Sequence, residues 1–205
     1  VKTNLGLSVH GHIKIHDPIT GEVFVDKDNA INYEAMSIAV ANAMTNRGTG
    51  MIYKMAFGNG ASSIDSTGLI TYLPPNATGT NARLYNETYA KVVDDTLLSN
   101  TDPTRNKMSV SHTSGKTYSD ILISCMLDYG EPSGQYAFDN ATDTTSEFVF
   151  DELGLLAADG ADGEGNIVTK LITHVVFHPV QKALNRQIQI DYTIRVQSIT
   201  NLVTI

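Results

Sequence analysis

From Leu5 to Ile15 apolar and polar side chains alternate. Leu5, Leu7, Val9, Ile13 and Ile15 share one side; Ser8, His10, His12, Lys14 and His16 share the other. A strand with one buried face arranges side chains this way, because successive residues point to opposite faces of a sheet. The far end of the chain repeats the pattern, with Ile188, Ile190, Tyr192, Ile194 and Val196 alternating with Gln189, Asp191, Thr193, Arg195 and Gln197. At Ser198-Ile199 the phase slips by one residue, which predicts a bulge. A final strand over about residues 186–203 exceeds the usual length of roughly 5–6 residues, so it needs a wide sheet or a partner chain to pair with.

The stretch between these ends reads mainly as strands. Asp17-Pro18-Ile19-Thr20-Gly21 is a tight turn and Glu22 to Asp26 the return strand of a hairpin. One segment has helical period: Met36, Ala39, Val40, Ala43 and Met44 fall on a single face, which predicts an amphipathic helix over about residues 33–46. Asn32 suits its N-cap, Glu34 its first turn, and Arg47 and Gly48 its end. Met51, Tyr53, Met55 and Phe57 then alternate as a strand that closes at Gly58-Asn59-Gly60, a turn signal. Residues 58–82 are rich in Gly, Ser, Thr, Asn and Pro, including Pro74-Pro75, and are expected to be a long contact loop ordered on assembly, with a short strand near Leu69 to Leu73.

Further along, a strand is expected within Tyr85 to Leu98, then a hairpin pairing Met108-Val110-His112 with Ile121 to Leu127 across Ser114-Gly115-Lys116. Residues 129–145 have loop composition, Phe148 and Phe150 a short strand, Ala157 to Asn166 a hairpin loop, and Thr169 to Phe177 a central strand ended by Pro179. No internal repeat is visible. The sum is one β-rich domain over residues 1–205, an antiparallel sandwich or barrel with one amphipathic helix and long loops.

Charged residues make up 18% of the 205 residues and hydrophobic ones 41%, a balance that argues against disorder and against a coiled coil. Net charge is −8, and the 14 Lys and Arg are scattered, so a nucleic-acid partner is not expected. The longest apolar run is well short of the ~20 residues that span a bilayer, and the first residues carry no long signal-peptide core, so neither membrane insertion nor secretion is expected. Cys125, the single cysteine, sits in the apolar run Ile121 to Leu127 and reads as a buried, inert thiol.

The chain offers little catalytic chemistry. His10 and His12 share a strand face, and pairs at this spacing could meet a metal at an oligomer axis; a solvated polar face beside Lys14 is the plainer expectation. Asp159, Asp162, Glu164 and Asn166 have the oxygen ligands calcium takes, but Thr173 stands where an EF-hand loop begun at Asp162 needs its closing acid, so a solvated hairpin loop is expected. Asp94-Asp95 are adjacent, which on a strand turns the two carboxylates to opposite faces. His112, His174 and His178 lie on strands without a motif, and the nucleophile, phosphate-loop and zinc-protease signatures are missing. No enzyme and no cofactor are expected.

Three places carry a family resemblance. They are DPITGEVFVDKDNAI followed by the helix and AFGNG; ARLYNETY at 82–89; and FDELGLLA at 150–157 with LITHVVFHP at 171–179 and the terminal RQIQIDYTIRV. In order and wording these segments resemble virion structural proteins of tailed bacteriophages. The resemblance implies a virion-located structural subunit that forms a homo-oligomer and meets other phage structural proteins, such as portal, connector or tail components. It carries no active-site residues with it.

Within that class a neck or collar position between head and tail is expected; capsid decoration or a baseplate position would use the same features. Gly58, Asn59, Gly60, Pro74 and Pro75 in the long loop, and Ile188, Ile190, Tyr192, Ile194 and Val196 in the terminal strand, are the expected assembly contacts, through strand addition. The competing class is a receptor- or glycan-binding attachment module. The chain has no Trp for such a site, and Tyr85, Tyr89, Tyr118, Tyr129 and Tyr136 are its candidate platforms.

Overall fold

A computed structural model describes residues 3–133 and 148–202. The loop reading of residues 134–145, Tyr136 within it, and residue 203 of the terminal strand lie outside that description. Among the described residues twelve strands and one helix follow each other as β1 (Thr3–His16), β2 (Val23–Asp28), β3 (Ala30–Ile31), α1 (Tyr33–Met44), β4 (Ile52–Gly58), β5 (Ser62–Ile64), β6 (Ile70–Tyr72), β7 (Glu87–Val92), β8 (Lys107–Ser111), β9 (Tyr118–Leu127), β10 (Phe148–Ala161), β11 (Ile167–Lys182) and β12 (Ile188–Leu202). Two five-stranded antiparallel sheets result, ordered β2-β1-β12-β9-β8 and β3-β11-β10-β4-β7, with β5 and β6 as a separate hairpin. We call them sheets A and B. Their inner faces share one core, so the domain is a β-sandwich with one helix.

The alternation at both ends of the chain becomes the middle of sheet A. β1 and β12 pair in unbroken register from Thr3–Leu202 to His16–Gln189. Ile13 lies opposite Tyr192 and Ile15 opposite Ile190, all buried. β12 has β9 on its other side, so both of its edges are filled within the chain along most of its length. Two expectations are thereby corrected. The register shows no bulge at Ser198-Ile199: Ile199 faces outward, exposed, opposite Gly6. And Ile188, Ile190, Tyr192 and Ile194 are buried core residues, not an open strand face for a neighbouring subunit.

Sheet B is built on the β10–β11 hairpin. Both strands outrun expectation, and the loop between them shrinks to Asp162 through Asn166, where the Asp162 carboxylate accepts the amides of Glu164 and Asn166. Pro179 does not end β11. Asp151 alone faces residues 177–179 between the Phe150–Val180 and Glu152–Val176 pairs, and this bulge admits a residue without an N–H. At that end the core is closed by aromatic rings: Phe150 meets Phe57 and Phe177 edge-on, and Tyr89 meets Phe148 the same way.

Residues 58–86 leave sheet B and fold back over its outer face, where Ala82 and Leu84 pack on Ala56, Leu156 and Leu171 in a second small core. The long loop is thus ordered by its own chain. This corrects the expectation that assembly orders it. Among the described residues no helix is long and apolar enough to cross a membrane.

Candidate functional site

Helix α1 begins where the sequence places it: the Asn32 side chain caps it by accepting the Ala35 N–H at 3.2 Å. It stops after Met44, and the chain turns through Asn46 and Gly48, both at positive φ. Its orientation is not the expected one. Ala35 and Ala39 are the residues it buries. Small side chains let the helix lie close to β10 and β11, and the connection to β4 passes close too: a Cβ on Gly50 would stand 2.1 Å from the Ala39 carbonyl oxygen. Met36 and Val40 are half-buried, and Met44 is 80% exposed. The stripe read as the core face therefore turns sideways, toward a gap between the sheets.

That gap is an apolar groove of about 550 Å³. Met36, Val40 and Ala43 of α1 form one wall. The inner face of sheet A forms the other, through Met108 and Val110 of β8, Ile121 of β9, and Ile194 and Val196 of β12. Ile172 and Ile194 make a buried floor, while Met51 at 50% and Val110 at 73% exposure mark an open mouth. Asp94, Asp95 and Thr96 stand on its rim. Val110 and Ile121 face each other across the β8–β9 ladder on the core side of the sheet, where Ile121 is half-buried against the core and Val110 is exposed. An apolar hollow with a charged rim marks a binding surface, and methionines let such a surface adapt to what it holds.

A second constellation lies on the opposite face of sheet B. Adjacent acids Asp151 and Glu152 hold the long loop. Asp151 accepts the Ala61 and Ser62 amides, at 3.1 and 2.8 Å, and the Ser62 hydroxyl. Glu152 accepts the amides of Gly60, Tyr85 and Asn86 at 3.2, 2.9 and 2.8 Å, and the His174 Nε2–H at 3.0 Å. His174 Nδ1 accepts the Asn76 N–H at 2.7 Å, which leaves the ring's proton on Nε2 and the imidazole neutral. Burial pushes the Glu152 carboxyl upward, but the imidazole and the three amides outweigh it and hold it below its ordinary value. Glu152 and His174 are both fully buried. A carboxylate and imidazole with these lone pairs and protons engaged serve as a staple and have no face for a substrate.

Gly58 and Gly60 belong to this staple. A Cβ on Gly58 would stand 2.4 Å from Glu152 Oε1, and one on Gly60 2.8 Å from the Asn86 amide nitrogen. Close approach, not an exposed turn, requires glycine at both, so these two expected assembly contacts are corrected to internal ones. Asn59, Pro74 and Pro75 are exposed, with Asn59 bonded to Asn86 and the Pro74 carbonyl to the Tyr85 hydroxyl. Val196 is half-buried and lines the groove.

The remaining candidates are dispersed. His10 bonds Ser8, His12 bonds Asp26 and His16 bonds Asp191, along a ladder of polar pairs on the outer face of sheet A. Among the described residues no three metal-ligating side chains converge. Asp159 pairs with Lys170, apart from the Asp162 turn. His112 bonds Ser119 and the Tyr118 carbonyl, and His178 the Tyr72 hydroxyl. Burial pushes the Cys125 thiol up to about 12, so it stays protonated and inert at neutral pH.

Of the tyrosines, Tyr89 is half-buried in the aromatic end, Tyr118 lies under the Arg195 guanidinium at 3.9 Å, and Tyr85 and Tyr129 are exposed. A periodic reading could not place the groove, because its residues come from seven separate segments. The staple did carry a signal: two adjacent acids and a histidine inside otherwise apolar strands. Comparison with protein-family models, with curated proteins and with solved structures finds no match.

Proposed function

We propose that this chain is a structural subunit of a tailed-bacteriophage virion, positioned at the neck or collar, and that it acts through protein–protein contacts. The carrying observation is the apolar groove. The chain covers the outer face of sheet B with its own loop, while the described residues leave the groove open at Val110 and Met51, which suits a subunit completed by a neighbour. The resemblance of three segments to phage virion proteins supplies the setting. The contact set shifts accordingly, from the terminal strand and the glycine turn to the groove walls and its rim.

Immunogold labelling of intact virions with antibody to this chain tests the reading. Gold at the head–tail junction is the expected result. Gold on capsid faces points instead to decoration, gold at the distal tail tip to a baseplate part, and virions free of label reject the virion reading altogether.

A further inference from the structure

Four strands end the two sheets, and their outer edges differ. β2 carries Asp26, Lys27 and Asp28. β11, paired with the two-residue β3 over only part of its length, contains Pro179, and Lys27 Nζ occupies its Val176 carbonyl at 2.8 Å. β7 holds Glu87 and Lys91, each in an ion pair. Charges, proline and capped carbonyls are the devices that keep a sheet edge from pairing with foreign strands. β8 reads Lys107-Met108-Ser109-Val110-Ser111, with one exposed charge, Lys107, at its first residue and no proline, acid or bulge in its pairing to β9. Among the described residues no strand lies on its outer side. From Met108 on, this edge lacks those guards, and it borders the apolar groove.

We infer that β8 is the acceptor edge for an extended segment of a different, basic protein, which adds as a sixth strand to sheet A and lowers alternate apolar side chains into the groove. The inference rests on the proposed structural role and names its partner. Strand addition fits because β8 supplies the backbone groups and the groove the side-chain pockets, on adjoining surfaces. The charge of the occupant follows from the rim. Asp95 stands there exposed, whereas Asp94 is buried and its carboxylate accepts the Thr96 amide and hydroxyl; among the described residues no Lys or Arg forms an ion pair with Asp95. A lysine or arginine flanking the apolar side chains would meet the Asp95 carboxylate. A second copy of this chain fits poorly, since its own Asp95 and its net charge of −8 would oppose the approach.

The test uses the whole chain and a fluorescent synthetic peptide of about ten residues, alternating valine and threonine with a lysine at each end. Saturable binding by anisotropy is expected, weakened by salt, with slowed amide exchange at residues 107–111. Val110→Lys and Asp95→Lys are expected to lower affinity about tenfold each, the loss of one apolar or one charged contact. Both positions are exposed, so thermal melts should coincide with wild type. Peptides with a central proline, or with glutamate for lysine, should bind no better than background. Equal binding by the glutamate peptide, unchanged affinity in both variants, or dimerisation through β8 in sedimentation would overturn the inference. Virions that label with gold while the peptide fails to bind reject the inference alone; binding without virion label rejects the virion reading alone.

Discussion

Two apolar surfaces of this sandwich are treated in opposite ways. The outer face of sheet B is covered by residues 58–86, which lay Ala82 and Leu84 on Ala56, Leu156 and Leu171. Two carboxylates bolt that cover down through backbone amides. The inner face of sheet A is left only partly covered by the described residues, with Ile121 and Val196 half-buried and Val110 exposed, although α1 lies beside it with Met36 and Val40 turned the same way. The helix could have covered more of this surface by presenting its larger side chains to the body. It presents alanines there instead. The difference teaches that the groove is not a defect of a chain too short to finish its core, because a long segment is committed to a smaller apolar patch.

The comparison can be broken most forcefully at the staple. Glu152→Gln puts an amide NH₂ where four donors converge, and unfolding by denaturant should show a loss of roughly 3 kcal/mol. Limited proteolysis should then cut within residues 61–86. Leu84→Ala removes the cover's main apolar contact and should cost about 2–3 kcal/mol, a fall of several degrees in Tm. Gly58→Ala should cost on the order of 2 kcal/mol, since the new methyl meets both the Glu152 carboxylate and the Asn86 carbonyl.

Acid probes the same cover. The Glu152 pKa is depressed in the fold, so its contribution is present above the ordinary value of 4.5 and is lost as pH falls through the lower folded value. Stability followed by denaturant should decline below about pH 4.5, and Glu152→Gln should flatten that decline. Val110→Lys is the smallest effect, within about 0.5 kcal/mol, because the side chain it replaces is already in water. A large loss there would mean the groove is part of the core, and the contrast would collapse.

The strands of sheet A were legible because one face of each is buried, and burial on one face writes a period of two. The β8–β9 hairpin was legible for its turn residues. The helix was placed correctly, and Ala39 of its expected face is buried, but that face is turned so that Ala35 joins it inside and Met44 stays in water. Hydrophobic period reports which residues avoid water, and at α1 the small residues that permit close packing went inside while the larger ones stayed at the groove. The staple was hidden because it joins Gly60, Asn76, Tyr85 and Asn86 to Glu152 and His174 across the fold. Gly58 looked like a turn for the same reason: the carboxylate that needs its missing side chain lies far away in sequence.

The pairing of β1 with β12 also sets a timetable. Every strand of sheet B precedes β12 in the chain, and the β10–β11 hairpin can close as soon as it is made. Sheet A cannot, because β1 must wait for a neighbour drawn from the opposite end of the sequence, the kind of distant contact that forms slowly. Ile194 and Val196, which line the groove, ride on that late strand. The groove therefore takes shape late, on a strand made after every strand of sheet B.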